Sequence, residues 1–139
     1  MRSLLALVAA SALLLSGVAV AQDREEIEAK AEERLEQVIE NLELTDEQVE
    51  ALRPIFQSSF ERQAAELEQY GIDLSDGEQG DKLSRGERRK LRGDLKDERE
   101  RTDDAIAEVL TDDQFDACKE MAEERRDEMR ERLKDRRYN

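Results

Sequence analysis

The sequence contains no histidine, no tryptophan, one cysteine and one proline in 139 residues. Zinc sites use histidine nitrogen and cysteine sulfur, so the usual ligands of such a site are missing. A serine–histidine catalytic pair is excluded for the same reason, and no glycine-rich phosphate loop is present. The sequence therefore predicts neither an enzyme nor a cofactor.

Aromatic residues are also scarce, at 4% of the chain, whereas charged residues make up 43%. A short chain with so few large apolar side chains cannot build a wide hydrophobic core from one copy. It is therefore either disordered or folded into thin helices that share narrow apolar seams.

The spacing of the apolar residues favours helices, because they recur at steps of three and four in four separate stretches. No stretch alternates with period two over a useful length, so no sheet is expected. The prediction is an all-α fold of four amphipathic helices. The four stripes are Ile27, Ala31, Leu35, Val38, Ile39 and Leu42; Val49, Leu52, Phe56, Phe60, Ala64 and Leu67; Leu91, Leu95, Thr102, Ile106 and Val109; and Phe115, Cys118, Ala122, Met129 and Leu133.

The breaks between the stripes agree with this prediction. The glycine-rich segment Gly71 to Ser84 is the one long loop, and Ser84 with Glu87 forms a capping-box signal for the third helix. Pro54 falls inside the second helix, where it removes one backbone hydrogen bond and should cause a kink.

The N-terminal segment has the three parts of a secretory signal peptide. Arg2 is followed by an apolar run from Leu4 to Leu15 and by the small-residue cleavage pattern Ala19-Val20-Ala21. The alternative is an uncleaved anchor, but the whole apolar stretch from Leu4 to Ala21 has only 18 residues, close to the lower length limit for spanning a bilayer. We expect a signal peptide at 1–21, an exported domain at 22–139 and no stable membrane insertion.

A short motif occurs twice, 66 residues apart. The copies are Leu44-Thr45-Asp46-Glu47-Gln48 and Leu110-Thr111-Asp112-Asp113-Gln114. Each threonine can cap a helix start, each glutamine can complete a capping box, and each leucine can form a hydrophobic staple. The motif residues Leu44, Thr45, Gln48, Leu110, Thr111 and Gln114 are therefore predicted to be structural.

The 66-residue repeat also aligns Cys118 with Leu52. A small buried apolar role is the favoured interpretation of this cysteine, since it replaces a leucine on an apolar face. A lone cysteine in an exported protein leaves pairing between subunits open.

The net charge is −14, and nearly all the acidic excess lies in the first half of the chain. The segment Ser84 to Arg101 is locally basic. A solvated helix face with internal ion pairs is one interpretation, and a patch that attracts acidic partners is the other. Nucleic acid is a poor partner because the charge is negative and aromatic residues do not alternate with the basic ones.

A chain with a signal peptide, four helices and two Leu-Thr-x-x-Gln motifs resembles the Spy/CpxP family of bacterial periplasmic proteins. The resemblance implies a thin, curved helical hairpin that forms an antiparallel homodimer in the periplasm. It also implies chaperone activity without ATP on unfolded envelope proteins under stress. CpxP-like members restrain an envelope-stress sensor kinase, and ZraP-like members bind zinc, for which this chain lacks the usual ligands.

The sequence thus predicts a periplasmic chaperone-like protein. A regulatory partner of a sensor kinase is the alternative, and a metal-binding sensor ranks third. We predict that clients are contacted by exposed apolar side chains on the helices, assisted by the basic segment of the third helix. The candidate contacts are Phe56, Phe60, Met121, Met129, Arg85, Arg88, Arg89, Lys90 and Arg92.

Overall fold

The computed structural model describes residues 16–72 and 82–138. Within these ranges there are four α-helices and no strand, which confirms the all-α prediction. Helix α1 packs along α2 and α2 along α3, whereas α3 and α4 are close to each other over only a short stretch. The bounds are α1, Ser16–Asn41; α2, Asp46–Gln69; α3, Arg85–Val109; and α4, Asp112–Tyr138.

The end of α2 is fixed by backbone hydrogen bonds. Gly71 has φ of 69°, a conformation that glycine adopts without steric cost. Its N–H donates to the carbonyl of Glu68 at 2.9 Å, and the N–H of Ile72 donates to the carbonyl of Leu67 at 3.0 Å. This pair of bonds is a Schellman motif, which satisfies two of the free carbonyls of the last turn. The predicted loop begins here, and its residues 73–81 lie outside the described ranges.

The start of α3 contains the predicted capping box. The N–H of Glu87 donates to the Ser84 hydroxyl at 3.2 Å, and the N–H of Ser84 donates to the Glu87 carboxylate at 2.8 Å. These bonds favour the ionised carboxylate and lower the pKa of Glu87. Both ends of the segment that connects α2 to α3 are thus anchored by local hydrogen bonds.

The core is narrow, as the composition predicts, but it draws on all four helices. Leu35, Val38 and Leu52 are its most completely buried large side chains. The core cluster consists of Ala31, Leu35, Val38, Leu52, Phe56, Ile106, Leu110 and Cys118. The predicted apolar faces of α1 and α2 thus meet those of α3 and α4 in one cluster.

Polar contacts hold α2 against α3 beyond this core. Arg62 pairs with the carboxylate of Glu98, which is 4% exposed and also lies 3.3 Å from Arg101 Nη1. The Thr102 hydroxyl lies 3.0 Å from Ser59 Oγ. Because these groups find partners, the polar side chains on the buried faces of the two helices are satisfied.

A further contact joins the two helices near the loop, where the Tyr70 hydroxyl donates to Asp94 Oδ2 at 2.9 Å. Partial desolvation, followed by this hydrogen bond, raises the pKa of Tyr70 to about 12. The phenol is therefore a neutral donor at physiological pH, and the seam between α2 and α3 extends to the last turn of α2.

The predicted signal peptide lies largely outside the described ranges. Residues 1–15 of the predicted signal peptide lie outside the described ranges, and α1 begins at Ser16. No helix in the described part of the chain is both long and apolar enough to cross a membrane.

Pro54 lies inside α2, as predicted. The helix runs without interruption through this residue, whose side chain is exposed.

Candidate functional site

The two repeated motifs form matching helix starts. The N–H of Gln48 donates to the Thr45 hydroxyl at 3.2 Å, and the N–H of Thr45 donates to Gln48 Oε1 at 3.0 Å. In the second copy the corresponding distances between Thr111 and Gln114 are 3.3 and 3.0 Å. Both motifs are therefore capping boxes in which the glutamine oxygen is the acceptor.

The amide nitrogens of the same glutamines bond across the repeat. Gln48 Nε2 donates to Gln114 Oε1 at 2.8 Å and to the Val109 carbonyl at 3.2 Å. Gln114 Nε2 donates to the Glu43 carbonyl at 2.8 Å and lies 3.4 Å from Gln48 Oε1. Glu43 and Val109 are themselves 66 residues apart, so the hydrogen bonds are reciprocal between the two copies. We call this pair, Gln48 and Gln114, the glutamine clasp.

The glutamine clasp joins the α1–α2 corner to the α3–α4 corner, and a groove of about 370 Å³ lies between the helices that it joins. All four helices line this groove. The lining residues are Arg34 and Val38 of α1; Phe56, Ser59, Phe60 and Gln63 of α2; Arg99, Thr102, Asp103 and Ile106 of α3; and Phe115, Cys118, Lys119, Ala122, Arg125, Arg126 and Met129 of α4.

The α2 and α4 walls of the groove contain equivalent positions of the repeat. Four of the α2 residues align with four of the α4 residues, and the pairs are Phe56 with Ala122, Ser59 with Arg125, Phe60 with Arg126, and Gln63 with Met129. The α2 wall has two aromatic rings and no charge, whereas the α4 wall has two adjacent guanidinium groups. The α2 wall is therefore uncharged, whereas the α4 wall combines cationic with apolar side chains.

A cluster of cations surrounds one carboxylate at this groove. Desolvation raises the pKa of Asp103 even though Lys119, Arg126 and Arg99 all act to lower it. Burial, followed by repulsion from Arg126, lowers the pKa of Arg125. The local charge is thus positive in a chain whose net charge is −14.

The cations of the groove have few partners of their own. Arg126 Nη2 lies 3.9 Å from Glu123, and Lys119 Nζ lies 5.5 Å from the centre of the Phe115 ring. Arg34, Arg99 and Arg125 form no ion pair or hydrogen bond with any residue in the described ranges. Half-buried Arg34 and Arg125 thus bring positive charge that the described part of the protein leaves unmatched.

Cys118 lines the groove and is 9% exposed. Burial, followed by the nearby Asp103 carboxylate, raises the pKa of its thiol. The cysteine is therefore neutral and forms part of the core together with Leu52, its equivalent in the first copy. A nucleophilic thiol would require the opposite shift.

A scan against protein families matches residues 19–118 to the model of a domain of unknown function, DUF4890. The chain belongs to this family. The match covers α1 from its second turn onward, α2, α3, both copies of the motif and the start of α4. It ends at Cys118, so the cationic wall formed by α4 lies beyond it.

Two other comparisons returned nothing. No curated protein matches the chain. No solved structure matches it either.

The structure brings together only part of the predicted contact set. Phe56, Phe60 and Met129 line the groove, and Met121 instead packs, half-buried, against the core. The basic residues of the segment at the start of α3 are exposed and do not line the groove, and Arg88 Nε donates to the Leu83 carbonyl at 3.0 Å. These residues are Arg85, Arg88, Arg89, Lys90 and Arg92.

The cations that do line the groove were not among the predicted residues. They are Arg34, Arg99, Lys119, Arg125 and Arg126, which come from three different helices. The one signal available in the sequence is the Arg125-Arg126 pair, which replaces Ser59-Phe60 at the equivalent positions of the repeat. Within the described ranges, no group of three or more potential metal ligands comes together.

Proposed function

We propose that the protein binds unfolded polypeptide chains in the groove and keeps them from aggregating, without ATP or a metal. The observation that carries this proposal is a groove lined by both apolar and positively charged side chains. Met129 at its edge is 57% exposed, so apolar surface is available to a client. Such a surface suits weak binding that tolerates many sequences.

The resemblance to the Spy/CpxP family, carried by the two capped motifs, supports the same proposal and adds the periplasm as its location. The same resemblance also supports the alternative function, in which the protein uses this scaffold to regulate a sensor kinase. The two functions differ in what binds to the groove, so a client assay separates them.

We expect the exported protein, at a stoichiometric ratio, to suppress light scattering by chemically denatured clients that are diluted into buffer. Nucleotide is absent and each assay is run with and without a chelator, because neither a metal nor ATP takes part. Bovine serum albumin at the same mass serves as the control for non-specific crowding. Unchanged scattering for several unrelated clients would favour the sensor-kinase partner, and suppression that a chelator removes would favour a metal-dependent protein.

We also propose that the helical hairpin forms an antiparallel homodimer. Leu133 of α4 is 49% exposed and does not line the groove, which leaves apolar surface for a second copy to cover. Size-exclusion chromatography with light scattering should give twice the mass of the exported chain. Leu133→Asp should shift the mass towards that of one chain. A stable wild-type monomer at micromolar concentration would contradict the proposal.

A further inference from the structure

The cationic wall of the groove indicates a second kind of ligand. Lys119, Arg126 and Arg99 all act electrostatically on Asp103, and Arg126 acts on Arg125, so these cations lie close together. Among the described residues that line the groove, Asp103 is the one that is acidic. The half-buried charges of Arg34 and Arg125, which have no partner in the described ranges, are unfavourable, and an anion that enters the groove would offset them.

The shape of the groove limits what this anion can be. Its volume of about 370 Å³ is near the lower end of the roughly 300–1,000 Å³ that is typical of small-ligand clefts. Phe60, Phe115 and Met129 line the same groove as the arginines and are only partly buried or exposed, so they provide apolar surface. A small inorganic anion would leave that apolar surface uncovered, and a purely apolar molecule would leave the cations unmatched.

We infer that the groove binds a single-chain anionic amphiphile with a carboxylate head, of the free fatty acid class. The acyl chain lies against Phe60, Phe115 and Met129, and the carboxylate lies against the arginines of α4 and α3. Guanidinium groups suit this head because they can form two parallel hydrogen bonds to one carboxylate. This inference goes beyond the proposed chaperone function and does not depend on it.

Isothermal titration calorimetry with the full exported protein and dodecanoate, kept below its micelle concentration, tests the inference. We expect saturable binding of one dodecanoate per chain. Each methylene removed in the series to octanoate should weaken binding by up to about fourfold. Dodecanol should bind at least about tenfold more weakly, because it cannot form charge-assisted hydrogen bonds. Dodecyltrimethylammonium should not bind.

Variants locate the head group. Arg125→Gln and Arg99→Gln should each weaken dodecanoate binding by about tenfold or more, since each removes a charged donor. Arg132→Gln is the matched control because it removes the same charge from an exposed position of α4 outside the groove. Circular dichroism melts should show all three variants folded. Arg34→Gln provides a further test if one of the groove variants does not fold.

Three results would overturn the inference. Equal affinity for dodecanol and dodecanoate would show that the cations do not recognise the head group. An equal loss in Arg132→Gln would show that only net charge matters. Binding of an acidic, apolar peptide without binding of dodecanoate would assign the groove to polypeptides alone. The client assay contains no amphiphile, so its outcome is independent of these results.

Discussion

Gln48→Glu should destabilise the protein by about 2 kcal/mol, although it looks harmless in the sequence. Glutamate at this position keeps the oxygen that accepts from the Thr45 N–H, and a carboxylate in the first turn is favoured by the helix dipole. What it loses is the amide nitrogen that donates to Val109 and Gln114. Leaving such part-buried acceptors without a donor costs about 1–3 kcal/mol.

Urea unfolding followed by circular dichroism measures this loss. Thr45→Ala is the matched control, because it removes the cap alone and should cost about 1 kcal/mol. Gln114→Glu should act like Gln48→Glu, and the double variant should lose more than the two single losses combined, because it leaves two carboxylates facing each other where Gln48 Nε2 and Gln114 Oε1 lie 2.8 Å apart. A Gln48→Glu variant as stable as the wild type would mean that the glutamine clasp contributes nothing to the fold.

Leu52→Ala should have the largest effect of any single truncation, about 3 kcal/mol. The side chain is 0% exposed and lies in the cluster that all four helices share, so its removal leaves a cavity that the surroundings can fill only in part. A domain of this kind has a total stability of about 5–15 kcal/mol. The midpoint of thermal unfolding should fall by about 10–15 °C.

Ile39→Ala is the matched control for this truncation. It removes the same number of carbon atoms from a side chain that is 40% exposed in α1, so the expected change is within about 0.5 kcal/mol. Both variants are measured at one protein concentration, because a homodimer would otherwise link the midpoint to concentration. Similar losses at the two positions would show that the core does not lie where the structure places it.

Much of the fold could be predicted because its determinants are local. Thr45, Thr111 and Ser84 have their capping partners three residues away, and the apolar stripes need only the helical period. The match of Cys118 to Leu52 likewise followed from the repeat, and both residues lie in the core. The narrow core itself followed from the scarcity of aromatic residues.

The contacts that were missed are those between distant parts of the chain. The capping role of Gln48 uses its oxygen, and nothing nearby indicates that its nitrogen reaches Gln114. The sequence predicted that the continuous basic segment at the start of α3 assists client binding. The cations of the groove instead come from separate positions in α1, α3 and α4. The packing of the helices decides which of these two sets of cations lies beside apolar side chains. The spacing of apolar residues along one helix does not determine that packing.

The central claim is that unfolded chains bind in the groove, and the client assay with paired variants tests it most directly. Phe60→Ser combined with Met129→Ser removes one aromatic and one aliphatic side chain from the lining of the groove. Ile39→Ser combined with Tyr138→Ser removes the same kinds of side chain from exposed positions outside it. With both proteins shown to be folded by circular dichroism, the groove variant should lose most of its suppression of client aggregation and the control should keep it. Equal activity of the two variants, or loss in the control alone, would contradict the claim.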